Sequence, residues 1–317
     1  MKLQNLLKRN RPIQNSIMIK IAAAQISPVY LDKNATVEKA CQYIKEASAN
    51  GASLLVFPEA FIPGYPDWIW LLKNSDSKSL NELYSILFTN SISVPDESTK
   101  LVCQCAKENN INIAIGINEV NTESSGSSLY NSILYINNEG IIIDTHRKLI
   151  PTGGERTVWS RGSGQTLKVH NTTTGKLGGL ICWENYMPLA RTILYQQGVQ
   201  ILVSPTWDKS ENWIQSMQHI AREGGTYVVS CCMPLRISDI PDSLEFKKLY
   251  PEGREWINTG NSCIVAPNGK IIAGPVNSEE KIIYAEFDPK LILASKRTFD
   301  VAGHYARPDV FDLSIKK

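Results

Sequence analysis

From residue 17 onward, short uninterrupted apolar runs alternate with stretches in which apolar residues return every three or four positions. Residues 17–24 and 54–57 are runs of strand length and read as buried strands. Between them Val37, Ala40, Cys41, Ile44 and Ala47 share one face of a helix, for which Asn34 is the expected N-cap. Breaker-rich residues 58–66 must leave the second strand as a loop. Helices over 80–88 and 97–108 and a strand over 111–117 come next. Residues 130–136 and 141–145 flank Asn137, Asn138, Glu139 and Gly140, the composition of a hairpin turn.

Strand and helix then repeat through residues 176–181, 188–197, 201–203, 213–222 and 227–231. A second hairpin pairs 263–266 with 270–273 across Asn268 and Gly269, and a strand over 281–287 follows. Without a repeat, a low-complexity tract or a linker, the pattern reads as one α/β domain over residues 17–317, preceded by an arm over 1–16. Lys2, Lys8, Arg9 and Arg11 make that arm basic; a mobile arm is favoured over a targeting segment.

Charge narrows the partners by exclusion. Lys and Arg number 33 against 31 Asp and Glu, so no global field draws the chain to nucleic acid or a membrane surface. No apolar run approaches the ~18–20 residues that cross a bilayer. The seven cysteines lack the spacing of a disulfide framework and suit a reducing, cytoplasmic setting. Cys103-Gln104-Cys105 and Cys231-Cys232 do not form a paired metal motif and read as packing residues; no metal or organic cofactor is expected, since a sulfur, a carboxylate and an ammonium together supply every role of the chemistry read below.

Three polar residues stand just past apolar strands, where side chains from separate segments converge: Glu59, Lys148 and Cys182. A thiol hydrolase needs a nucleophilic sulfur, a base to take its proton and a cation for the developing charge; these three supply one each. A nearby ammonium is expected to lower the thiol pKa.

The residues around them carry a resemblance. Phe57-Pro58-Glu59-Ala60-Phe61-Ile62-Pro63-Gly64-Tyr65-Pro66, His146-Arg147-Lys148-Leu149-Ile150-Pro151-Thr152 and Gly178-Gly179-Leu180-Ile181-Cys182-Trp183-Glu184-Asn185 resemble, in order and spacing, the three motifs of the nitrilase superfamily. The likeness extends from about residue 19 to about residue 313. Trp183-Glu184-Asn185 and the C-terminal segment 303–311 resemble the nitrilase branch rather than the aliphatic amidases or carbamoylases.

The resemblance implies a four-layer αββα sandwich in which Cys182 is the nucleophile, Glu59 the general base and Lys148 the stabiliser of the tetrahedral intermediate. Glu155 matches a further carboxylate that supports the site. His304 reads as structural, since the mechanism already has its base. Tyr65, Trp183 and Trp207, with the loop over 62–70, are candidate substrate-binding residues in an apolar pocket suited to an aromatic, arylaliphatic or medium aliphatic nitrile; cyanide stays open as a substrate. Hydrolysis of a small-molecule nitrile to acid and ammonia is the reading favoured. Its rivals are an amidase or carbamoylase with the same three residues and a silent scaffold of the same fold.

The resemblance also implies a homodimer or compact homo-oligomer joined through the helix at 188–197. There Leu189, Ala190, Ile193 and Leu194 are expected to face the sheet, while Arg191 and Tyr195 project outward as an interface pair. Ending soon after Asp309-Val310-Phe311, the sequence shows no long tail of the kind filament-forming relatives carry, so an extended spiral is not expected.

Overall fold

The strand-length apolar runs fold into two mixed sheets. The computed structural model describes residues 19–316; the arm expected over 1–16 lies outside the described residues. The first half of the chain holds β1 (Ile19–Gln25), α1 (Lys33–Ala49), β2 (Ala52–Val56), α2 (Ser77–Thr89) and α3 (Glu97–Glu108). It closes with β3 (Asn112–Val120), β4 (Leu129–Ile136) and β5 (Ile142–Arg147). A short strand pair, β6 (His170–Thr172) and β7 (Gly175–Gly179), opens the second half, followed by α4 (Pro188–Gln196), β8 (Ile201–Thr206), α5 (Glu211–Gly224), β9 (Tyr227–Cys232) and β10 (Pro234–Arg236). The last elements are β11 (Trp256–Val265), β12 (Ile271–Asn277), β13 (Lys281–Phe287) and α6 (Pro289–Thr298).

One sheet has the order β13-β1-β2-β3-β4-β5, with β1, β2 and β3 parallel to their neighbours in that trio. In the other, β10-β11-β9-β8-β7-β6, the parallel trio is β7, β8 and β9, and β12 pairs with β11. Period-two alternation assigns the faces. Ala22, Ala24, Leu55, Phe57, Ile113 and Ile115 join one core with residues of α1, α2 and α3. Their alternates Ile21, Ala23, Leu54, Val56 and Ala114 meet Leu177, Ile201, Val203, Tyr227 and Val229 of the second sheet. The outer face of that sheet, through Leu202, Val228, Cys263 and Val265, packs on Ala190, Leu194, Trp213 and Met217 of α4 and α5. Three apolar layers therefore separate four layers of structure, which is the αββα sandwich expected.

Four local expectations are corrected. Helix α1 is capped by Asp32, whose carboxylate accepts the Ala35 N–H at 3.0 Å, rather than by Asn34, which lies inside the helix. The cysteines are not all free thiols: a disulfide joins Cys41 of α1 to Cys105 of α3. Strand β7 stops at Gly179 rather than at residue 181, and Cys182 opens a short 3-10 turn two residues beyond it. Most consequentially, α4 turns a different face outward. Arg191 and Tyr195 are buried, whereas Leu189 is 66% exposed.

The physical reason lies in α5, which flanks α4 on the sheet. The Arg191 guanidinium donates to the Asn185 carbonyl at 2.6 Å and to Glu223 of α5 at 2.9 Å, and the Tyr195 hydroxyl donates to Glu223 at 3.0 Å. A Cβ on Gly224 would overlap the Tyr195 ring, so only glycine lets the two helices come this close. Tyr195→Glu would place a buried carboxylate beside the half-buried one of Glu223. It is expected to unfold the chain, not to probe an interface, and a melting curve checks this.

Candidate active site

The three motifs end their strands at one edge of the sandwich, and each arrives by a different device. Beyond β2 the chain runs along β3, where Asn118 donates to the carbonyls of Ile62 and Gly64, each at 3.1 Å. Gly116 of β3 lies directly under this loop, and a side chain there would overlap the Pro58 carbonyl. That close approach holds Glu59, which is buried and followed by Ala60 at φ 50°. Lys148 follows β5 and is fixed by its own N–H on the Asn131 carbonyl at 2.8 Å. Cys182 sits at φ 50°, in the left-handed region that only a well-determined turn imposes on a non-glycine residue. Asn185 sustains that turn by donating to the carbonyls of Leu180 and Cys182 at 2.8 and 2.9 Å.

Lys148 bridges two carboxylates. Its ammonium donates to Glu59 at 2.8 Å and to Glu155 at 2.7 Å, and all three side chains are buried. Glu155, the further carboxylate that the resemblance implies, thus belongs to the cluster. It also accepts the Tyr65 hydroxyl at 2.8 Å and the Thr152 N–H at 2.6 Å. Asn131 donates to Glu59 at 2.7 Å, leaving the other Glu59 oxygen buried without a partner among the described residues. Thr206, at the end of β8, donates to the Cys182 sulfur at 3.1 Å.

Electrostatics follow from burial and this pairing. Burial pushes the Glu59 carboxyl above its ordinary value against the pull of Lys148, with Glu155 adding to the rise. The ammonium of Lys148 is held above its usual range because Glu59, Cys182 and Glu155 outweigh the opposing effect of burial. The Cys182 thiol is also pushed up, by burial first and the charge of Glu59 next, against the opposing pull of Lys148. The expectation that the ammonium would lower the thiol pKa is therefore corrected: Lys148 is present, but desolvation and two carboxylates prevail. Burial thus favours the neutral thiol at Cys182, and Glu59 is the carboxyl group whose charge acts most strongly on it.

A cavity of about 320 Å³ opens onto Cys182 and Glu155. Tyr65, Trp70, Trp183 and Trp207 give it aromatic walls, and Thr152, Asp208 and Ser210 complete the lining. Tyr65 and Trp207 stack at 4.4 Å with planes 5° apart, and the Trp183 indole donates to Asp208 at 2.9 Å. All three candidate binding residues therefore reach the same cavity as the nucleophile. Trp70 ends the loop 62–70 expected to line the pocket, whereas Asn131, Thr206 and Asp208 emerge only in the structure. The sequence held a signal for Asn131, a polar residue inside the apolar run of β4, but none for the others. His304 is exposed and does not line the cavity.

Among the described residues no group of three or more His, Cys, Asp or Glu side chains is arranged to hold a metal ion, and no helix is long and apolar enough to cross a membrane.

Nitrilase 2 of Arabidopsis thaliana is 37% identical over 314 residues, spanning 96% of this chain and 91% of that protein. The aliphatic nitrilase of Sinorhizobium fredii is 39% identical over 298 residues, spanning 93% and 95%. In three dimensions the chain superimposes on Saccharomyces cerevisiae Nit3, a member of branch 10 of the nitrilase superfamily, with a TM-score of 0.69. That match covers 92% of this chain and 98% of the other at 22% identity, a likeness of fold alone. Residues 20–297 match the carbon-nitrogen hydrolase family. The chain belongs to that family and is a hydrolase acting on carbon–nitrogen bonds.

Proposed function

We propose that the protein is a nitrilase that converts a small nitrile to the carboxylic acid and ammonia through a covalent intermediate on Cys182. One observation carries the reading: a buried ammonium shared by Glu59 and Glu155, beside an aromatic cavity lined by Cys182. In the reaction, the sulfur adds to the nitrile carbon while Glu59 moves the thiol proton to the nitrogen, giving a thioimidate. A water deprotonated by Glu59 adds next. The C–N bond breaks, ammonia leaves and a thioester remains. A second water then releases the acid and restores the thiol, so two waters are consumed for each nitrile. Lys148 stabilises the negative charge of each tetrahedral species, and Glu155 with Tyr65 orients the ammonium.

The cavity lining supports a substrate class. Four aromatic walls favour aromatic, arylaliphatic or medium aliphatic nitriles. Of the charged lining groups, Glu155 is neutralised by Lys148, while Asp208 pairs with no Lys or Arg among the described residues. A carboxylate-bearing nitrile is therefore expected to turn over more slowly than an uncharged one of equal size. Release of ammonia and acid across such matched pairs tests both statements, and equal rates would remove Asp208 from the account. Activity is expected to persist in a chelator; inhibition reversed by one added metal would contradict a cofactor-free mechanism.

A pH profile follows from the raised Glu59 pKa. The base is lost on acidification, so the acidic limb of kcat/KM is expected above 4.5, the ordinary glutamate value. A limb at or below that value would contradict Glu59 as the base.

Association as a homodimer or compact homo-oligomer remains part of the proposal, with exposed Leu189 now replacing Arg191 and Tyr195 on the outward side of α4. Light scattering on Leu189→Glu is expected to show weaker assembly, and an unchanged oligomer would exclude this face.

A further inference from the structure

Two residues of the Lys148 and Cys182 motifs have no part in the bond-making steps above. His146 lies two positions before Lys148 and Glu184 two positions after Cys182; both side chains are buried. One Glu184 oxygen accepts the Leu149 N–H at 2.6 Å. The other accepts the Ile181 N–H at 2.6 Å and lies 3.0 Å from His146 Nε2. Leu149 directly follows Lys148, and Ile181 directly precedes Cys182. A single carboxylate is thus bonded to the backbone beside both reactive groups. His146 Nδ1 lies 3.0 Å from Thr166 Oγ1, so the imidazole is held at both nitrogens.

We propose that His146 and Glu184 form a clasp between the two loops and are positioning residues that set Lys148 against Cys182. The turn at Cys182 and the loop at Lys148 come from different sheets, so their separation is not fixed by strand pairing. Glu184 supplies the missing link. A carboxylate has no donor, so it can receive both N–H groups and the imidazole together, which an amide in its place cannot. Burial opposes ionisation of Glu184, but His146 and the two N–H groups outweigh it and hold the carboxyl below its ordinary value. His146 is correspondingly raised, Glu184 overcoming the effect of burial. Lys148 can stabilise an intermediate on the sulfur only if its distance is kept; a misplacement of about 1 Å typically costs ~100-fold in rate.

Two replacements of one residue test the clasp. His146→Asn keeps a polar atom near Thr166 but is too short to reach Glu184, whereas His146→Gln places an amide where Nε2 stood. Per folded molecule, the Asn variant is expected to lose roughly 10- to 100-fold in kcat with KM little changed, and the Gln variant to keep most of the activity. Alkylation of Cys182 by iodoacetamide, followed on its peptide by mass spectrometry, is expected to slow in the Asn variant alone. The turnover arm rests on the nitrilase reading; the alkylation arm needs no substrate. A wild-type protein inert to nitriles would fail that reading while leaving the alkylation comparison to decide the clasp. Equal kcat and equal alkylation rates in the two variants would overturn the proposal. So would an Asn variant that does not fold, because the pair would then serve fold stability.

Discussion

Cys182→Ala is expected to reduce turnover to background, a loss on the order of a millionfold if the sulfur is the nucleophile, while the protein stays folded. The change removes one small buried side chain and leaves the Thr206 hydroxyl without its sulfur acceptor. That costs about 1–2 kcal/mol, a modest share of the stability of a domain this size. Circular dichroism should therefore match the wild type when ammonia release has vanished. A folded variant with near-normal activity would remove Cys182 from the mechanism.

Lys148→Met is the second large effect, and it strikes stability and rate together. The methionine fills similar space but leaves Glu59 and Glu155 buried without the ammonium they share at 2.8 and 2.7 Å. Breaking a buried pair in this way costs about 3–5 kcal/mol, and loss of the charge-stabilising donor lowers the rate ~100- to 1000-fold. The pH dependence of the stability loss has a definite sign. With Lys148 gone, burial and the neighbouring charge of Glu155 hold the Glu59 carboxyl further above its unfolded value, opposed only by the Asn131 hydrogen bond, so the native state binds a proton there more tightly than the unfolded chain. Stability is then recovered as pH falls through the raised native pKa and lost as it rises. Urea unfolding at two pH values should show the variant's deficit shrinking on acidification, and a deficit that grew would contradict the pairing.

Much of this site was legible because its three motifs are local. Glu59, Lys148 and Cys182 each follow an apolar run, and a run needs no tertiary information to be seen. Helix α3 and strand β13 were recognised to the residue for the same reason. What the sequence hid depends on neighbours distant along the chain. The N-cap of α1 is the local exception: Asp32, two residues before the expected Asn34, accepts the Ala35 N–H. For Arg191 and Tyr195 the missing fact was Glu223, 32 and 28 residues further on, which makes a buried face of what helical spacing alone makes a surface. The direction of the Cys182 shift was hidden likewise, since the sequence reveals that an ammonium is available but not how completely sulfur and carboxylates are buried together.

The layered fold itself followed from the resemblance, and the alternation within β1, β2 and β3 explains it physically. Ala22 and Ala24 face the helices while Ile21 and Ala23 face the other sheet, so these strands are apolar on both sides. Such strands read as continuous runs, and a run cannot say which face meets a sheet and which meets a helix. Glu184 was equally opaque. It stood in the motif only as a neighbour of Cys182, and its bond to Leu149 spans 35 residues.

The most direct measurement is the mass of the Cys182 peptide after a denaturing quench during turnover of an aromatic nitrile, with the matching amide run in parallel. An added thioimidate or acyl mass on Cys182 is expected from the nitrile, absent in Cys182→Ala. An adduct on a different residue would contradict it, as would an intact, unincorporated nitrile in the same experiment in which the amide acylates Cys182.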